Sequence, residues 1–194
     1  MTNTEIMIDI ETLGISHNSI ILTIGVVKFT RDTLKENIKK LDSFYRRIDI
    51  KSCLNAGLTE DKSTREWWER QNNEVKYEAL ENPNNRVPIE QALQELSDWI
   101  KPSKFIWANS PEFDCVILDN AYKNCNLKTP WSFWNTRDCR TLYDIANVNK
   151  KDLPNDNSHN ALCDCYQQIY GVLLSLEKIS METLISSKDL LLDN

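Results

Sequence analysis

Short apolar runs separated by amphipathic stretches dominate the hydrophobic pattern of this 194-residue chain. The stretch from Glu5 to Gly14 contains a short apolar run, and the stretch from Ser19 to Phe29 is almost wholly apolar and rich in β-branched residues. Continuous apolar runs of this kind predict strands that are covered on both faces. The segment DSFYRRIDI alternates less cleanly, which predicts a third strand nearer an edge. We expect these first three strands to form a meander.

Helical periodicity follows the strand-rich region. Ser63, with Glu66 three residues later, fits a capping box at the start of a helix. The next helix is predicted to start at Pro88 and to stop at Pro102, because proline favours the first helical turn and cannot continue a helix. Its apolar residues recur at helical spacing: Ile89, Leu93, Leu96 and Ile100.

The second half of the chain combines one short strand with further helices. The segment KFIWANS predicts a strand, and a helix is expected directly after it, with Ser110 as N-cap and Pro111 as first residue. Asp138 is expected to cap another helix. A last long helix is predicted from about Asn160, with an apolar stripe at spacings of four and three residues formed by Leu162, Tyr166, Ile169, Leu173 and Leu176.

This order of elements predicts an α/β fold in which a central mixed β-sheet is flanked by α-helices. Its first three strands are expected to be antiparallel. A chain of 194 residues suits one core, so we predict a single domain over residues 1–194, with about 177–194 as a C-terminal helix or tail extension.

Composition places the chain among globular proteins, with 41% hydrophobic and 27% charged residues. No uninterrupted apolar run reaches the ~18 residues that span a bilayer, and the N-terminus lacks a basic segment followed by an apolar one. We therefore expect a cytoplasmic protein with no membrane partner. The six cysteines form no CxxC pair, which favours reduced thiols over structural zinc.

The net charge of −6 has the wrong sign for a protein that coats nucleic acid with its whole surface. A polyanionic ligand would have to be held by local cations or by bound metal ions.

Two carboxylates lie inside the first predicted strand. Because side chains alternate along a strand, Met7, Asp9 and Glu11 share one face. Burying an ionised carboxylate without a partner costs several kcal/mol, so this face needs positive charge, unless it is wet at the end of the strand. Arginine or lysine would supply it, and so would a divalent cation, since Mg²⁺ and Mn²⁺ prefer carboxylate oxygens.

Three further residues are candidates for the same chemistry. Asp114 lies near the start of a helix that follows a short strand, where side chains gather at one end of a sheet. His159 and Asp164 would point about 140° apart on one regular helix, since each residue turns about 100°. If Ser158 caps the helix instead, His159 lies at the very start of the helix and suits a general base near neutral pH.

The motifs DIET, NSPEFD and HNALCD occur in this order and end or begin with these acids and the histidine. Together they resemble the DnaQ-like 3′→5′ exonuclease superfamily of the His subtype, also called DEDDh. The segments STREWWERQ and FWNTRDCRT are similar to those of the T-even phage exonuclease A group and, more distantly, of related bacterial exoribonucleases. The resemblance covers roughly Met1 to Leu176.

The resemblance implies a ribonuclease H-like fold with two ions, Mg²⁺ or Mn²⁺, among the carboxylates. On that pattern Asp9 bridges both ions, Asp164 joins it on the first, and Glu11 and Asp114 hold the second. His159 takes the proton from the attacking water. The implied catalytic residues are thus Asp9, Glu11, Asp114, His159 and Asp164.

Other residues are candidates for substrate contacts. Trp67 and Trp68 suit stacking on a terminal base or core packing, and at most one of them stacks, because adjacent helical residues point about 100° apart. Leu13 follows the first motif, and an apolar residue at that place often wedges against the last base in this fold. Arg137 or Arg140 would contact a phosphate or remain solvated. The substrate-binding candidates are Thr12, Leu13, Trp67, Trp68, Trp134, Asn135 and Arg137.

We therefore predict a metal-dependent exonuclease that shortens single-stranded RNA or DNA from the 3′ end and releases nucleoside 5′-monophosphates. The alternatives are a two-metal phosphoesterase that acts on short oligonucleotides and a catalytically idle nucleic-acid-binding module. The sequence is compatible with a homodimer but does not reveal the oligomeric state, nor does it distinguish RNA from DNA.

Overall fold

A computed structural model of the protein describes residues 4–101, 103–155 and 159–192, with side chains of the last helix described through Met181. The chain forms a six-stranded sheet flanked by helices. The strands are β1 Glu5–Thr12, β2 Ile21–Phe29, β3 Ser43–Ile48, β4 Arg86–Val87, β5 Ile106–Ala108 and β6 Thr136–Asp138. The α-helices are α1 Ile50–Asn55, α2 Lys62–Glu69, α3 Asn73–Lys76, α4 Ile89–Trp99, α5 Pro111–Asn124, α6 Cys139–Ile145 and α7 Ala161–Leu192.

The sheet is mixed, with strand order β4-β3-β2-β1-β5-β6. Strands β1, β2 and β3 pair antiparallel, whereas β5 and β6 run parallel to β1, and β4 runs parallel to β3. The predicted α/β architecture with an antiparallel meander is confirmed. Because β1, β5 and β6 are parallel, their carboxyl ends meet at one end of the sheet.

The two faces of β1 lie in different parts of the core. Ile6, Ile8 and Ile10 belong to a cluster that includes buried residues of α4 and α5. Met7, on the opposite face, packs with buried residues of α6 and α7, such as Cys139 and Cys165. Asp9 and Glu11 follow Met7 on that face, so they lie where the sheet, α5, α6 and α7 converge.

The capping box predicted at Ser63 and Glu66 is wrong. Helix α2 begins at Lys62, with Asp61 in the N-cap position, so Ser63 lies inside the helix. The Asp61 carboxylate accepts a hydrogen bond from the Ile15 N–H, at 3.1 Å, and thereby ties α2 to the turn after β1. The Asp61 carboxylate accepts no hydrogen bond from the first N–H groups of α2 itself.

The start of α7 is capped by Asn160, whose Oδ1 accepts hydrogen bonds from the backbone N–H groups of Leu162 and Cys163, both at 3.1 Å. Ser158, the cap considered from the sequence, lies outside the described residues. The predicted starts of the helices at Ser110 and Asp138 are confirmed, and the Asp138 carboxylate accepts hydrogen bonds from two backbone N–H groups of α6.

Within the ranges that the structure describes, no helix combines the length and the apolar character needed to cross a bilayer.

Candidate active site

Asp9 and Asp164 are brought together by a glycine. Asp9 lies opposite Gly25 in the β1–β2 register, so both positions face the same side of the sheet. A Cβ at Gly25 would lie 2.5 Å from the Ala161 carbonyl carbon, a distance that van der Waals repulsion forbids. The backbone of the first turn of α7 therefore rests directly on β2 and carries Asp164 to the side of Asp9.

Asp114 is fixed at the start of α5 by the neighbouring strand. Strand β5 pairs with β1 only at Ile6 and Met7, so the Ile10 N–H lies beyond the paired region. The Asp114 Oδ1 accepts a hydrogen bond from that N–H at 3.1 Å, which leaves its second oxygen for another partner. The Asp114 side chain is buried, at 3% exposure.

His159 lies outside the helix that carries Asp164. Its backbone is left-handed, with φ of +64°, and its N–H donates to Asp164 Oδ2 at 3.0 Å. This turn removes the angular separation that a regular helix would impose. One potential ligand atom from each of Glu11, His159 and Asp164 lies within 4.8 Å of the other two.

All five residues implied by the motif resemblance line one open cavity of about 920 Å³, which we call the acidic cleft. Three cationic side chains, Arg140, Lys150 and Lys151, also line it. Among the described residues, no arginine or lysine forms an ion pair with Asp9, Glu11, Asp114 or Asp164. The explanation that a direct arginine or lysine partner neutralises the strand carboxylates is therefore wrong.

The carboxylates destabilise one another's charged forms. Desolvation, followed by repulsion from Asp114, Glu11 and Asp164, holds the pKa of Asp9 well above its usual value. Burial and repulsion from Asp164 and Asp114 do the same to the pKa of Glu11, against a smaller opposite effect of Lys150. Burial raises the pKa of Asp114 to about 7, although the Ile10 N–H favours its charged form. Such a group of acids suits a bound cation.

Several residues in or beside the cleft were not predicted from the sequence. Gln168 donates from Nε2 to Asp9 Oδ1 at 2.7 Å, and Asn155 donates from Nδ2 to Asp164 Oδ1 at 2.7 Å. Gln168 lies four residues after Asp164 on α7, and this spacing places both on one face of the helix. That spacing was a usable signal, whereas Asn155, Lys150 and Lys151 carry none.

Three of the predicted substrate-binding residues are buried. Trp68 is 1% exposed and donates from Nε1 to the Thr12 carbonyl at 2.9 Å, so most of its surface packs in the core. Leu13 is also fully buried. The Thr12 hydroxyl donates to the Gly14 carbonyl at 2.6 Å and shapes the turn after β1. These contacts give all three residues a structural role, and their contact with a substrate stays a prediction.

Trp67 has a different environment from Trp68. It is half-buried and lines a second cavity of about 410 Å³, which we call the apolar pocket. This pocket adjoins the acidic cleft, because Ile10, Glu11 and Phe113 line both cavities. Trp68 also lines this pocket, but Trp67 exposes more of its surface than the buried Trp68 does.

The lining of the acidic cleft does not include Trp134, Asn135 or Arg137, whose contact with a substrate stays a prediction. The first two residues precede β6 and lie at the amino end of that strand, whereas the acidic cleft lies at the carboxyl ends of the parallel strands. The Arg137 guanidinium lies 4.0 Å over the Phe105 ring and donates to two nearby carbonyls. Arg140, in the first turn of α6, is the arginine that reaches the cleft.

Sequence comparison agrees with the motifs. The model of the family described as "3′-5′ exoribonuclease Rv2179c-like domain" matches residues 4–174. The exodeoxyribonuclease of Enterobacteria phage T4 is 24% identical over an alignment 198 positions long, which covers 85% of this chain and 86% of the phage protein. The predicted resemblance to DnaQ-like exonucleases and to the T-even phage group is confirmed.

Solved structures share the fold. The nuclease domain of 3′hExo, a DEDDh family member bound to rAMP, matches with a TM-score of 0.56 and 12% identity over 91% of this chain and 92% of its own. The zinc-bound E. coli ExoI–ssDNA complex matches with a TM-score of 0.62 and 13% identity, over 96% of this chain and 43% of ExoI. Cell-death related nuclease 4 matches with a TM-score of 0.54 and 12% identity, over 91% of this chain and 64% of its own. The chain therefore spans less than two thirds of the last two proteins. The likeness confirms the predicted ribonuclease H-like fold.

Proposed function

Because the chain belongs to the 3′-5′ exoribonuclease Rv2179c-like domain family, we propose that it is a metal-dependent exonuclease acting on the 3′ end of single-stranded nucleic acid. The products would be nucleoside 5′-monophosphates. The family is named for an exoribonuclease and the T4 relative is an exodeoxyribonuclease, so RNA and DNA are both candidate substrates.

The observation that carries the proposal is the convergence of four acids and one histidine in the acidic cleft. Acids that repel one another and lack ion-pair partners in the described chain have the donor chemistry of a divalent-metal site. The residues present therefore fit Mg²⁺ or Mn²⁺. Asp9 and Asp164 would hold one ion, Glu11 and Asp114 the other, with Asp9 shared between them.

Divalent ions held there would favour ionisation of the attacking water and stabilise charge on the leaving 3′ oxygen. Hydrogen bonds from neighbouring side chains and backbone N–H groups keep the acids in place for this task. Gln168 holds Asp9 through one oxygen, and the Ile10 N–H holds Asp114. Asn155 and the His159 N–H each occupy one oxygen of Asp164.

His159 would accept the proton of the attacking water. Its side chain is exposed in the cleft, and a ring nitrogen lies within 4.8 Å of the Glu11 and Asp164 carboxylates. Because Asp164 also anchors the backbone of His159, one side chain positions both the acid group and the base. An imidazole has the right pKa range to accept a proton near neutral pH.

The cations of the cleft would receive the phosphates of the strand. Arg140, Lys150 and Lys151 line the cleft of a chain whose net charge is −6, so positive charge is local to the site. Local cations can hold a backbone phosphate without a basic surface elsewhere.

The proposal is tested with 5′-end-labelled RNA and DNA of equal sequence, each single- and double-stranded. We expect single strands to shorten stepwise from the 3′ end with Mg²⁺ or Mn²⁺ and to remain intact with EDTA. Asp164→Asn should lower the rate at least about a hundredfold, since it weakens a metal site. His159→Ala should lower it about 10²- to 10⁴-fold at neutral pH. Cleavage that is indifferent to chelation would refute metal dependence.

A length series separates the exonuclease from a phosphoesterase for short oligonucleotides, which the acidic surface favours because long polyanions are repelled more strongly. An exonuclease should degrade strands of 5 to 30 nucleotides at comparable kcat. A steep fall in rate beyond a few nucleotides would assign the chain to the second class.

A further inference from the structure

Trp67 joins the core of the protein to the histidine of the acidic cleft. Its ring centroid lies 4.9 Å from that of His159, with the two planes at 86°, an edge-to-face arrangement. On its other side it contacts Trp68 edge-to-face at 5.1 Å and 81°. Trp68 is fixed to the end of β1 by its hydrogen bond to the Thr12 carbonyl. A chain of three rings therefore runs from the sheet to His159.

His159 depends on contacts with its ring for a defined orientation. Its backbone is left-handed and is held by Asp164, but this hydrogen bond leaves rotation about the side-chain bonds free. In the part of the chain that the structure describes, no hydrogen bond reaches the imidazole. The edge-to-face contact with Trp67 is the aromatic contact that limits where an otherwise exposed ring can lie.

We propose that Trp67 is a positioning residue for His159, holding the imidazole toward the Glu11 and Asp164 carboxylates. This inference rests on the proposed function, in which His159 is the general base. A base that is misplaced by about 1 Å loses much of its effect, so the packing of Trp67 sets the fraction of molecules that are ready to react. Trp67 acts through His159 and not on the reacting atoms.

Trp67 also lines the apolar pocket beside Glu11, where a nucleobase that entered would meet the same indole. Its substitution is therefore expected to change KM for a reason unrelated to His159. The quantity that reports positioning is kcat, measured at saturating substrate.

Nuclear magnetic resonance tests the contact directly, without any substrate. The chain contains only two histidines, His17 and His159, so the ring signals are easily assigned. Trp67→Leu should remove the ring-current shift of the His159 C–H protons, and Trp67→Phe should retain a part of it. The His17 signals should remain in place. Trp99→Leu is the matched control, because Trp99 is also half-buried on a helix but contacts Phe44 and Asp42.

A double-mutant cycle tests the functional consequence. Trp67→Leu should lower kcat about tenfold, a part of what a general base contributes, while Trp67→Phe should stay within about threefold of the wild type. In a His159→Ala background the same Trp67→Leu change should lower kcat less than about twofold, because its target is gone. Trp99→Leu should leave kcat unchanged in both backgrounds.

Two results would overturn the inference: unchanged His159 signals in Trp67→Leu, or an equal loss of kcat with and without His159. The second result would mean that Trp67 supports the fold or the substrate alone. If the wild-type protein cleaves neither RNA nor DNA, the proposed function fails and the catalytic meaning of the contact fails with it. The magnetic resonance comparison would then still show whether Trp67 orients His159.

Discussion

At the scale of single residues, the acidic cleft brings together carboxyl groups whose burial opposes folding but whose chemistry suits the proposed reaction. Asp9, Glu11 and Asp114 all have a raised pKa from desolvation and, for the first two, from mutual repulsion. Their convergence with Asp164 and His159 could be predicted from ordered motifs. The burial of Leu13 and Trp68 could not, because it depends on contacts that are distant in sequence.

Replacing one of these acids should therefore stabilise the metal-free protein while it abolishes activity. Asp9→Asn keeps an oxygen for Gln168 but removes a charge, so the melting temperature in EDTA should rise by about 2–6 °C, given about 2–4 °C per kcal/mol in a chain of this size. Turnover should fall at least about a hundredfold. Asp98→Asn, at an exposed acid of α4, should change neither quantity. A lower melting temperature of Asp9→Asn in EDTA would contradict the repulsion described here.

The pH dependence of stability follows from the same raised pKa values. The folded, metal-free protein binds protons at these acids more tightly than the unfolded chain does. Their contribution to the free energy of unfolding is thus full below about pH 4 and is lost as pH rises through the folded values, about 7 for Asp114. In EDTA the melting temperature should be at least roughly 5 °C lower at pH 8 than at pH 5. Excess Mg²⁺ should flatten this decline.

The comparison with and without Mg²⁺ isolates the cleft from acids elsewhere. Desolvation opposes ionisation of Glu78, but hydrogen bonds from Arg47 and Tyr45 outweigh it and lower the pKa of Glu78. The stabilisation from ionised Glu78 is fully present above its ordinary pKa of 4.5 and is lost only as the pH falls below that value, and Glu78 does not line the acidic cleft. Parallel pH curves in EDTA and in Mg²⁺ would show that the cleft acids do not govern the effect.

At the scale of secondary-structure elements, the start of α7 determines the geometry of the cleft. Its first turn rests on Gly25, opposite Asp9, and the helix carries Asp164 and Gln168 on one face. The existence of α7, its apolar stripe and its start near Asn160 could be predicted from periodicity and capping chemistry. The seating on Gly25 could not, because nothing local marks which residue of a strand a helix will touch.

Gly25→Ala should displace this helix start. The added methyl group would meet the Ala161 backbone at 2.5 Å, so we expect a loss of about 1–3 kcal/mol in the free energy of unfolding together with a large fall in kcat. Gly57→Ala is the matched control. Gly57 has φ of +84°, and a Cβ there would make only an ordinary contact, 3.8 Å from Asn124 Nδ2, so alanine should cost about 1 kcal/mol through backbone strain and leave kcat unchanged. Full activity of folded Gly25→Ala would contradict the seating of α7 as the determinant of the cleft.

At the scale of the whole molecule, the sheet brings the candidate catalytic residues together at the carboxyl ends of β1, β5 and β6. The mixed α/β class could be predicted from the order of apolar runs, but the strand order could not. Strands β4 and β6 have two and three residues, too short for an alternating pattern to be visible, and their pairing is fixed by long-range contacts. For the same reason the sequence did not show that the residues just before β6 are absent from the lining of the cleft.

The net charge of −6 matters at this scale, because the chain is acidic and concentrates four of its acids in the cleft that must accept a phosphate. The proposed function therefore requires divalent ions at one place in the molecule. Calorimetric titration of the metal-free protein with Mn²⁺ measures this most directly. We expect saturable binding of two Mn²⁺ per chain, weakened at least about tenfold by Asp9→Ala and unaffected by Asp98→Ala. No saturable binding, or identical binding by Asp9→Ala, would contradict it.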